Sequence, residues 1–525
     1  MDKIFLPIFC AHLLFYLGFI HASKLITSCN QTPYPEICNY YINTNLVQTL
    51  DQSATTFSFR DQSVLVTLNQ AIKSHQTIKN LNLRSLDEKS KLAWNDCIEL
   101  HENTIEHLNR SLSSTNSIDS QTWLSAAIAN QQTCQNGFID LNLNLNLDSM
   151  PYMLSNLSKL LSNSLATNKF SQQYSTSTKQ ITGRRLLLAP GGYPSWVSAA
   201  DRKLIGAAPK EDIIVAQDGS GDYTTINEAV AAAVGRRKGT GRFVIYVKKG
   251  VYKENVEIKR SMKNLMFVGD GIDATVVTGS KNNQDGSTTF GSATFAVSGP
   301  GFIAKYMTFE NTAGPEKHQA VALRSGSDFS VFYSCSFKGY QDTLYIHSQR
   351  QFYRNCDIYG TVDFVFGDAV AVLQNCNIYV RKPMSGQKNT VTAQGRKDPN
   401  ENTGIVIHNS NVVAASDLMR VSGSFETYLG RPWHEYSRTL FVKCSLDGVI
   451  NPAGWLPWSG DFALSTLYYG EYMNIGSGSS TGRRVNWPGY HVITQATDVG
   501  KFTVGNFLNG NSWIPVTGVP FDSGL

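Results

Sequence analysis

The sequence lacks several patterns that define large protein classes. Its formal net charge is only +5 over 525 residues, without a strongly basic tract, so no nucleic-acid partner is expected. It has neither a His-Glu-x-x-His motif nor a Cys-x-x-Cys pair, so neither a catalytic metal nor another cofactor is predicted. The apolar run at residues 4–20 is too short for a comfortable membrane span, so no stable membrane insertion is expected.

The start of the chain is typical of a secretory signal instead. Lys3 precedes the apolar run and the small residues Ala22 and Ser23 follow it. Residues 1–22 are therefore predicted to be a signal peptide, with an uncleaved anchor as the alternative. Glycosylation sequons that fit a secretory route begin at Asn30, Asn109 and Asn156. Eight cysteines remain once Cys10 is removed with the signal, an even number that suits disulfides in an oxidising compartment.

Residues 23–170 are predicted to form an all-α four-helix bundle. Apolar residues recur there at helical spacing, namely Trp94, Ile98, Ile105, Leu108 and Leu112 on one face and Trp123, Ala127 and Ile128 on another. The four cysteines of this region allow three connectivities. Pairing Cys29 with Cys38 and Cys97 with Cys134 would staple a short helical hairpin and a long one.

Residues 171–204 have the composition of a linker. They are rich in Ser, Thr and Gly and contain the dibasic pair Arg184 and Arg185. A dibasic pair in a polar linker between two unlike regions of a secreted chain predicts a processing site. An exposed basic linker without cleavage is the alternative.

Residues 205–525 carry short β-branched and aromatic segments separated by Gly, Asn and Asp. Strands are predicted at Arg242–Val247, Asn264–Val268, Ala274–Thr278 and Thr294–Val297. A helix over Thr225–Val234 is predicted to cap the first coil, because an open solenoid end exposes unpaired strand edges.

A self-similar segment recurs in this second region about every 20 residues. Its copies are Phe332–Phe337, Phe352–Ile358 and Leu373–Ile378, each with a central cysteine. Such a period predicts a parallel β-solenoid, an all-β fold in which each coil stacks on the coil before it. Residues one period apart then become neighbours roughly 4.7–4.9 Å apart. Two such pairs are expected: Asp342 with Asp363, and Cys335 with Cys356.

Four polar residues fall on successive coils of the predicted solenoid: Gln319, Gln341, Asp342 and Asp363. Two close carboxyl groups do not both ionise easily, so one serves as a proton donor and the other as a carboxylate nucleophile. Side-chain amides can stabilise the oxyanion of a tetrahedral intermediate. This arrangement is what ester hydrolysis requires, but from the period alone a structural role is favoured, because polar ladders inside solenoids are often structural.

The same residues lie in segments that resemble the signatures of pectin methylesterases, which are carbohydrate esterases of plant cell walls. These segments are Gln319-Ala-Val-Ala-Leu323, Gln341-Asp-Thr-Leu-Tyr345, Asp363-Phe-Val-Phe-Gly367 and Leu429-Gly-Arg-Pro-Trp433. The first region is similar to the pectin methylesterase inhibitor family in its four cysteines and in Thr122-Trp-Leu-Ser-Ala126, and Arg184-Arg-Leu-Leu187 matches the processing site between the two. The resemblance covers nearly the whole chain.

The resemblance implies a right-handed parallel β-helix that hydrolyses galacturonosyl methyl esters without a metal. Asp363 would attack the ester carbonyl while Gln319 and Gln341 bind the oxyanion. Asp342 would protonate the departing methanol and then activate water to cleave the acyl-enzyme. The resemblance further implies that Arg431 pairs with Asp363, that Trp433 stacks on a sugar ring and that Thr289 touches the substrate chain.

The resemblance also implies partners and a location. Methyl-esterified homogalacturonan would be the substrate, in the extracellular cell wall, and proteinaceous inhibitors and a processing subtilase would be protein partners of a monomer. It implies a disulfide between Cys335 and Cys356, and leaves Cys376 and Cys444 either paired or free. Asp368 stands where related enzymes commonly carry asparagine, either as an extra carboxylate acting on Asp363 or as an exposed turn residue.

Three alternatives compete with this interpretation. Gly478-Ser-Ser-Thr-Gly482 matches the serine-esterase pattern G-x-S-x-G, but a nucleophile elbow needs a strand before it and a helix after it. A polysaccharide lyase or glycosidase on a β-solenoid would also use aspartates, yet glycoside cleavage has no oxyanion for two glutamines to bind. A third alternative is a binding protein whose helical domain inhibits other esterases and whose solenoid only holds pectin.

Overall fold

The computed structural model describes residues 26–49, 58–80, 87–143, 150–177, 210–237, 239–421 and 423–525. The predicted signal peptide at residues 1–22 and the predicted processing site at Arg184 and Arg185 lie outside these residues.

The N-terminal region is helical, as expected. Its helices are α1 Pro35–Thr49, α2 Phe59–Lys79, α3 Glu88–Ser113, α4 Ser117–Asp140 and α5 Met150–Ser177. The side chains of Ser58, Asp87 and Asn116 cap the N-termini of α2, α3 and α4 by accepting backbone N–H groups, which satisfies donors that the helices leave free. Helices α2–α5 share one apolar core, to which each contributes, for example Val64, Leu108, Leu124 and Leu161.

Two disulfides brace this helical domain. Cys29 is bonded to Cys38, and Cys97 on α3 is bonded to Cys134 on α4. The connectivity predicted for these four cysteines is confirmed.

The three sequons differ in exposure. Asn30 and Asn109 are exposed, as a glycan acceptor must be. Asn156 is only 2% exposed and its amide donates to the Tyr41 hydroxyl at 3.5 Å. A glycan on Asn156 is therefore excluded in this conformation, which corrects the expectation for that site.

The second region is a parallel β-helix preceded by β1 and one helix. Its strands are β1 Ile213–Val215, β2 Phe243–Val247, β3 Gly250–Lys253, β4 Val256–Ile258, β5 Leu265–Gly269, β6 Thr275–Gly279, β7 Phe295–Val297, β8 Ile303–Lys305, β9 Thr308–Asn311, β10 Leu323–Ser325, β11 Ser330–Tyr333, β12 Ser336–Lys338, β13 Leu344–Ile346, β14 Arg350–Arg354, β15 Asp357–Gly360, β16 Val365–Gly367, β17 Val370–Gln374, β18 Asn377–Val380, β19 Asn389–Gln394, β20 Gly404–His408, β21 Asn411–Ala414, β22 Thr427–Gly430, β23 Arg438–Val442, β24 Ser445–Leu446, β25 Tyr468–Tyr472 and β26 Tyr490–Val492. The helices of this region are α6 Ile226–Arg236, α7 Ser416–Met419, α8 Ala496–Gly500 and α9 Val504–Phe507. The four predicted strands correspond to β2, β5, β6 and β7, and the predicted helix to α6.

The strands form three parallel sheets that run the length of the solenoid. Sheet A has the order β1-β2-β5-β8-β11-β14-β17-β20-β23-β25-β26, sheet B β22-β19-β16-β13-β10-β7-β4, and sheet C β24-β21-β18-β15-β12-β9-β6-β3. Helix α6 covers the first coil with buried Ile226, Ala229 and Val230. Inside the coils, aromatic rings stack from one coil to the next, as Phe332 and Tyr353 do at 4.8 Å. The predicted parallel solenoid is confirmed.

The corner between sheets A and C consists of two residues in successive coils, from β11–β12 to β17–β18. The first adopts a left-handed backbone, as do Ser334, Asn355 and Asn375 with φ of 50°, 53° and 55°. The second points into the core, and this is the position of the recurring cysteine. The repeat seen in the sequence is therefore this corner together with the strands on either side of it.

The disulfide between Cys335 and Cys356 is absent, which corrects the expectation drawn from the family resemblance. Both are buried free thiols, and so are Cys376 and Cys444. Ser336 pairs with Asp357, so the two cysteines before them are parallel neighbours in adjacent coils. The two thiols contact the carbonyl oxygens of the preceding coils instead.

In the part of the chain that the structure describes, no helix has the length and apolar character needed to cross a membrane.

Candidate active site

The two predicted acids occupy equivalent positions in successive coils. Asp342 lies two residues before β13 and Asp363 two residues before β16, and Leu344 of β13 pairs in register with Val365 of β16. Both aspartates have left-handed backbones, with φ of 62° and 53°. Such conformations cost about 1–3 kcal/mol and persist only where the surroundings fix them. The expectation that the period brings these two residues together is confirmed.

Asp363 is held by a fork of hydrogen bonds. Arg431 donates from Nε to Oδ1 at 2.8 Å and from Nη2 to Oδ2 at 2.6 Å. The Thr390 hydroxyl donates to Oδ1 at 2.6 Å. Only 5% of Asp363 is exposed, so these bonds fix the direction of its side chain.

Asp342 has the opposite environment. Burial raises the pKa of its carboxyl group well above the usual range, and the charges of Asp363 and Asp140 raise it further, although Arg431 lowers it. Burial therefore favours the protonated form of Asp342, and of the two acids only Asp363 has the arginine fork. This asymmetry suits one proton donor and one nucleophile.

A cavity of about 290 Å³ is lined by all seven residues that were predicted from the sequence for this site. Its lining includes Asp342, Asp363, Gln341, Gln319, Thr289, Arg431 and Trp433. Gln319 and Gln341 come from adjacent coils, since the backbone N–H of Ala320 donates to the Gln341 carbonyl at 3.3 Å. The two amides, the two acids and the arginine therefore surround one space large enough for part of a sugar.

The floor of this cavity includes aromatic residues that sequence reasoning missed. Tyr345 and Phe366 stack with their ring centroids 4.2 Å apart, and Trp433 meets Phe366 edge-on at 6.0 Å. The Trp458 ring packs 4.3 Å from the Arg431 guanidinium carbon. Tyr345 and Phe366 fall inside the recognised segments, so alternation along β13 and β16 could have revealed them. Trp458 and Thr390 lie in coils of different length and leave no periodic signal.

Helix α4 of the helical domain forms one wall of the cavity. Thr133, Asn136 and Asp140 belong to its lining, and Asp140 Oδ2 accepts the backbone N–H of Thr289 at 3.0 Å. Burial raises the pKa of Asp140, although the hydrogen bonds from Thr289 lower it. Nothing in the sequence marked Asp140, because only packing of the two domains brings it to the site.

The contact between the domains continues on both sides of the cavity. An apolar cluster joins the helical domain to sheet B, with Trp94 and Phe138 on one side and Phe290 and Tyr345 on the other. The indole N–H of Trp123 donates to buried Asp328 at 3.0 Å. The helical domain thus covers the face of the β-helix that carries the two acids.

Asp368 is neither an exposed turn residue nor a partner of Asp363. It is 4% exposed and accepts hydrogen bonds from Gln394 Nε2 at 3.0 Å and from the Thr403 hydroxyl. Burial raises its pKa to about 6, although its hydrogen bonds, including that with Glu401, lower it. Asp368 therefore belongs to a buried polar network beside the site.

The described residues contain neither a metal-binding cluster nor a serine-esterase elbow. Within them, no group of three or more His, Cys, Asp or Glu side chains is arranged to hold a metal ion. The segment Gly478–Gly482 lies in a loop after β25 and is not followed by a helix, so it lacks the geometry of a serine-esterase elbow.

Comparison with known proteins identifies both regions. The pectinesterase family model matches residues 212–511, and the plant invertase/pectin methylesterase inhibitor model matches residues 24–167. The chain is 55% identical to probable pectinesterase/pectinesterase inhibitor 6 of Arabidopsis thaliana, covering 96% of this chain and 94% of the relative. It is 53% identical to pectinesterase 2 of Citrus sinensis, covering 95% and 94%.

Solved structures agree with these relatives. Pectin methylesterase from carrot is 58% identical with a TM-score of 0.60, covering 61% of this chain and 99% of the carrot chain. That of Aspergillus niger is 34% identical with a TM-score of 0.50, covering 58% and 96%. The chain therefore belongs to the pectinesterase family, and it is a pectin methylesterase with an N-terminal domain of the pectin methylesterase inhibitor family.

Proposed function

We propose that Asp363 is the nucleophile of pectin demethylation and Asp342 its proton donor and base. Asp363 attacks the methyl-ester carbonyl, and the amides of Gln319 and Gln341 bind the oxyanion, each contributing on the order of 3 kcal/mol. Asp342 gives its proton to the leaving methoxide, which departs as methanol. Asp342 then takes a proton from water, which cleaves the acyl-enzyme and frees Asp363 and the galacturonate carboxylate.

One observation carries this assignment: the two acids have unequal partners. Arg431 donates hydrogen bonds to both oxygens of Asp363. Asp342 has no such partner, and burial raises the pKa of its carboxyl group, which favours the protonated form. A protonated acid beside a fixed carboxylate is the arrangement that a displacement with proton transfer requires. Trp433 and Thr289 are proposed to position the sugar chain. Membership of the esterase family decides against the lyase, glycosidase and non-catalytic alternatives.

The experiment that tests the roles uses Asp342→Asn and Asp363→Asn, each quenched rapidly in acid with methyl-esterified oligogalacturonate. In Asp342→Asn acylation loses its proton donor and deacylation loses its base, so both steps should slow, and the adduct that forms, the oligosaccharide less methanol, is expected on the peptide that contains Asp363. In Asp363→Asn we expect no adduct. An adduct on the Asp342 peptide of Asp363→Asn would reverse the assignment.

We further propose that the helical domain keeps the enzyme inactive until it is removed. Support comes from helix α4, which lies over the cavity and places Asp140 against the Thr289 backbone. In this proposal the helix blocks the approach of a polysaccharide to Asp363. In this proposal residues 1–22 are a signal, 23–170 the inhibitory domain, 171–204 a linker and 205–525 the enzyme.

The remaining proposals concern processing and location. We propose secretion to the extracellular cell wall, cleavage by a subtilase after the Arg184 and Arg185 pair, and action as a monomer that proteinaceous inhibitors also recognise. N-terminal sequencing of the secreted protein together with a methanol assay tests this route. A chain that keeps its helical domain and yet demethylates pectin at full rate would contradict both cleavage and inhibition.

A further inference from the structure

The helical domain covers the active site without filling it. The cavity of about 290 Å³ lies between α4 and the two acids, and Asn136 and Ile139 of α4 belong to its lining. Ile139 is 70% exposed and Trp458, which also lines the cavity, is 38% exposed. The cavity therefore opens to solvent between the two domains. Its volume is close to the lower end of the roughly 300–1,000 Å³ that small-molecule sites occupy.

The catalytic groups are assembled while the cover is in place. Arg431 already donates to both oxygens of Asp363. The hydrogen bonds that the helical domain makes beside the cavity end on the Thr289 backbone and on the side chains of Tyr345 and His347. Among the residues that the structure describes, none joins the helical domain to either acid or to Arg431. The cover therefore does not take hydrogen bonds from the groups that react.

The same cover obstructs a long chain on both sides of the cavity. Phe138 of α4 packs in one cluster with Phe290, which precedes β7. Gln121 of α4 donates to the carbonyl of Asn400, which follows β19, at 2.7 Å. The two acids precede β13 and β16, so these contacts lie in coils before and after them. A polysaccharide that presents an internal sugar to Asp363 extends in both directions and meets these contacts, whereas a single sugar does not.

The cavity suits a neutral ligand. Among its described lining residues, Arg431 is the one cation, and it is already bonded to Asp363. Burial raises the pKa of Asp140 and of Asp342, which favours the uncharged form of both carboxyl groups. A second anion in this space would be buried without a counterion, at a high cost in free energy. A methyl ester has no charge and avoids this cost, so the ester fits where the free acid does not.

We propose that the uncleaved chain hydrolyses the methyl ester of a single galacturonate while it excludes methyl-esterified pectin; this inference rests on the proposed function. Asp363 displaces methoxide from the carbonyl carbon, and methoxide takes the proton of Asp342. Water then hydrolyses the acyl-aspartate and gives one proton back to Asp342. One ester and one water thus yield one methanol and one galacturonic acid, which releases its own proton to solvent. The helical domain therefore selects substrates by size and leaves the chemistry active.

The test compares an uncleaved full chain that carries Arg184→Ala and Arg185→Ala with the wild-type protein after cleavage. Each form receives either the methyl ester of monomeric galacturonate or methyl-esterified pectin, and released methanol is measured. We expect the two forms to agree within about threefold in kcat/KM on the monomeric ester, whereas the uncleaved chain loses at least about 100-fold on pectin.

A substitution on α4 ties this activity to the covered cavity. In the uncleaved chain, Asn136→Trp places a bulky indole at the cavity wall, so we expect it to lower hydrolysis of the monomeric ester about tenfold. After cleavage the same variant should match wild type, because α4 has left. Gln76→Trp, exposed on α2, is the matched control and should change neither form. Hydrolysis of pectin by uncleaved Asn136→Trp should stay low, which shows that the cover is still docked.

The opposite outcomes are equally definite. The inference is overturned if the uncleaved chain releases no methanol from the monomeric ester, whether or not the cleaved form does, or if Asn136→Trp and Gln76→Trp behave alike. Full hydrolysis of pectin by the uncleaved chain would refute the cover and this inference with it. Asp363→Asn in both forms tests the proposed mechanism separately. Hydrolysis of the monomeric ester that is equal in both forms and survives Asp363→Asn would leave size selection standing and refute Asp363 as the nucleophile.

Discussion

The helical domain and the β-helix each contain four cysteines, yet only the helical domain pairs them. Helices of the bundle contact one another through side chains, so covalent links add stability that the backbone does not provide. In the β-helix each strand is hydrogen-bonded to the coils on either side, and the thiols simply fill the core. The same residue type thus serves as a staple in one region and as packing in the other.

The two regions also contribute differently to the site between them. The β-helix fixes the acids and amides by register, whereas the helical domain adds a removable cover with titratable groups. Catalysis should therefore be sensitive to changes in the β-helix, and inhibition to changes in the helical domain.

Replacing the nucleophile should have the largest effect. An amide at position 363 cannot attack the ester, so we expect Asp363→Asn to lower methanol release about 10⁴-fold while the thermal midpoint of the protein changes little. Asp461→Asn, in an exposed loop, is the matched control. Methanol release within tenfold of wild type would show that the chemistry does not depend on Asp363.

Removing a disulfide should destabilise the helical domain alone. The bond between Cys97 and Cys134 joins residues 37 positions apart, so Cys97→Ser with Cys134→Ser should cost about 3–4 kcal/mol of unfolding free energy. Cys356→Ala in the β-helix should cost only about 1 kcal/mol. Urea unfolding followed by domain-specific hydrogen exchange measures both. Equal losses would remove the distinction between staple and packing.

Loss of the Asp140 contact should release the cover in part. In an uncleaved chain that carries Arg184→Ala and Arg185→Ala, Asp140→Ala leaves the Thr289 N–H without its acceptor. We expect residual methanol release to rise about tenfold. Glu36→Ala on α1 serves as the control far from the site. If Asp140→Ala leaves the residual rate unchanged, this contact does not hold the cover in place.

The pH dependence of inhibition should be the smallest effect. Burial raises the pKa of Asp96 to about 7, although the Thr288 hydrogen bond and Arg324 lower it, so docking of the helical domain binds a proton. Docking is then strongest below the ordinary range of an aspartate and weakens as pH rises towards 7. His107 and His347, whose pKa burial lowers, act in the opposite sense below pH 6.5.

Asp96→Asn isolates the contribution of this carboxyl group. We expect it to strengthen inhibition of the uncleaved chain about threefold at pH 8, a value reduced by partial solvent exposure, and to make no difference at pH 4. Methanol release by the uncleaved chain across this range provides the measurement. A difference that grows as pH falls would contradict the assigned direction.

Much of the fold was predictable because the solenoid repeats itself. Cysteines at a constant interval revealed the coil, and the coil brought Asp342 and Asp363 together without further information. The helical domain was predictable from apolar spacing, as Trp94 and Leu108 illustrate. The disulfide implied for Cys335 and Cys356 was wrong, because both residues are free thiols that fill the core and contact carbonyl oxygens of the preceding coils.

The site was only partly predictable, for a geometric reason. Gln319, Gln341 and Arg431 lie in segments that resemble the signatures of the family. Thr390 donates a hydrogen bond to Asp363 but belongs to a coil of another length, so no pattern marks it. Asp140 comes from a separate domain, so its place depends on a docking surface that no local pattern encodes. The sequence therefore predicted residues that the β-helix contributes to the site and missed Asp140, which the helical domain contributes.

The two-residue corner between sheets A and C restricts how the enzyme can diversify. From β8–β9 to β23–β24 this corner keeps two residues, whereas five residues join β5 to β6 in an earlier coil. Over the coils that carry the site, changes in coil length occur instead at the other two corners, which border sheet B and its groove. The constant corner acts as a spine there, and insertions that reshape the sugar-binding surface can accumulate without disturbing the stack that supports it.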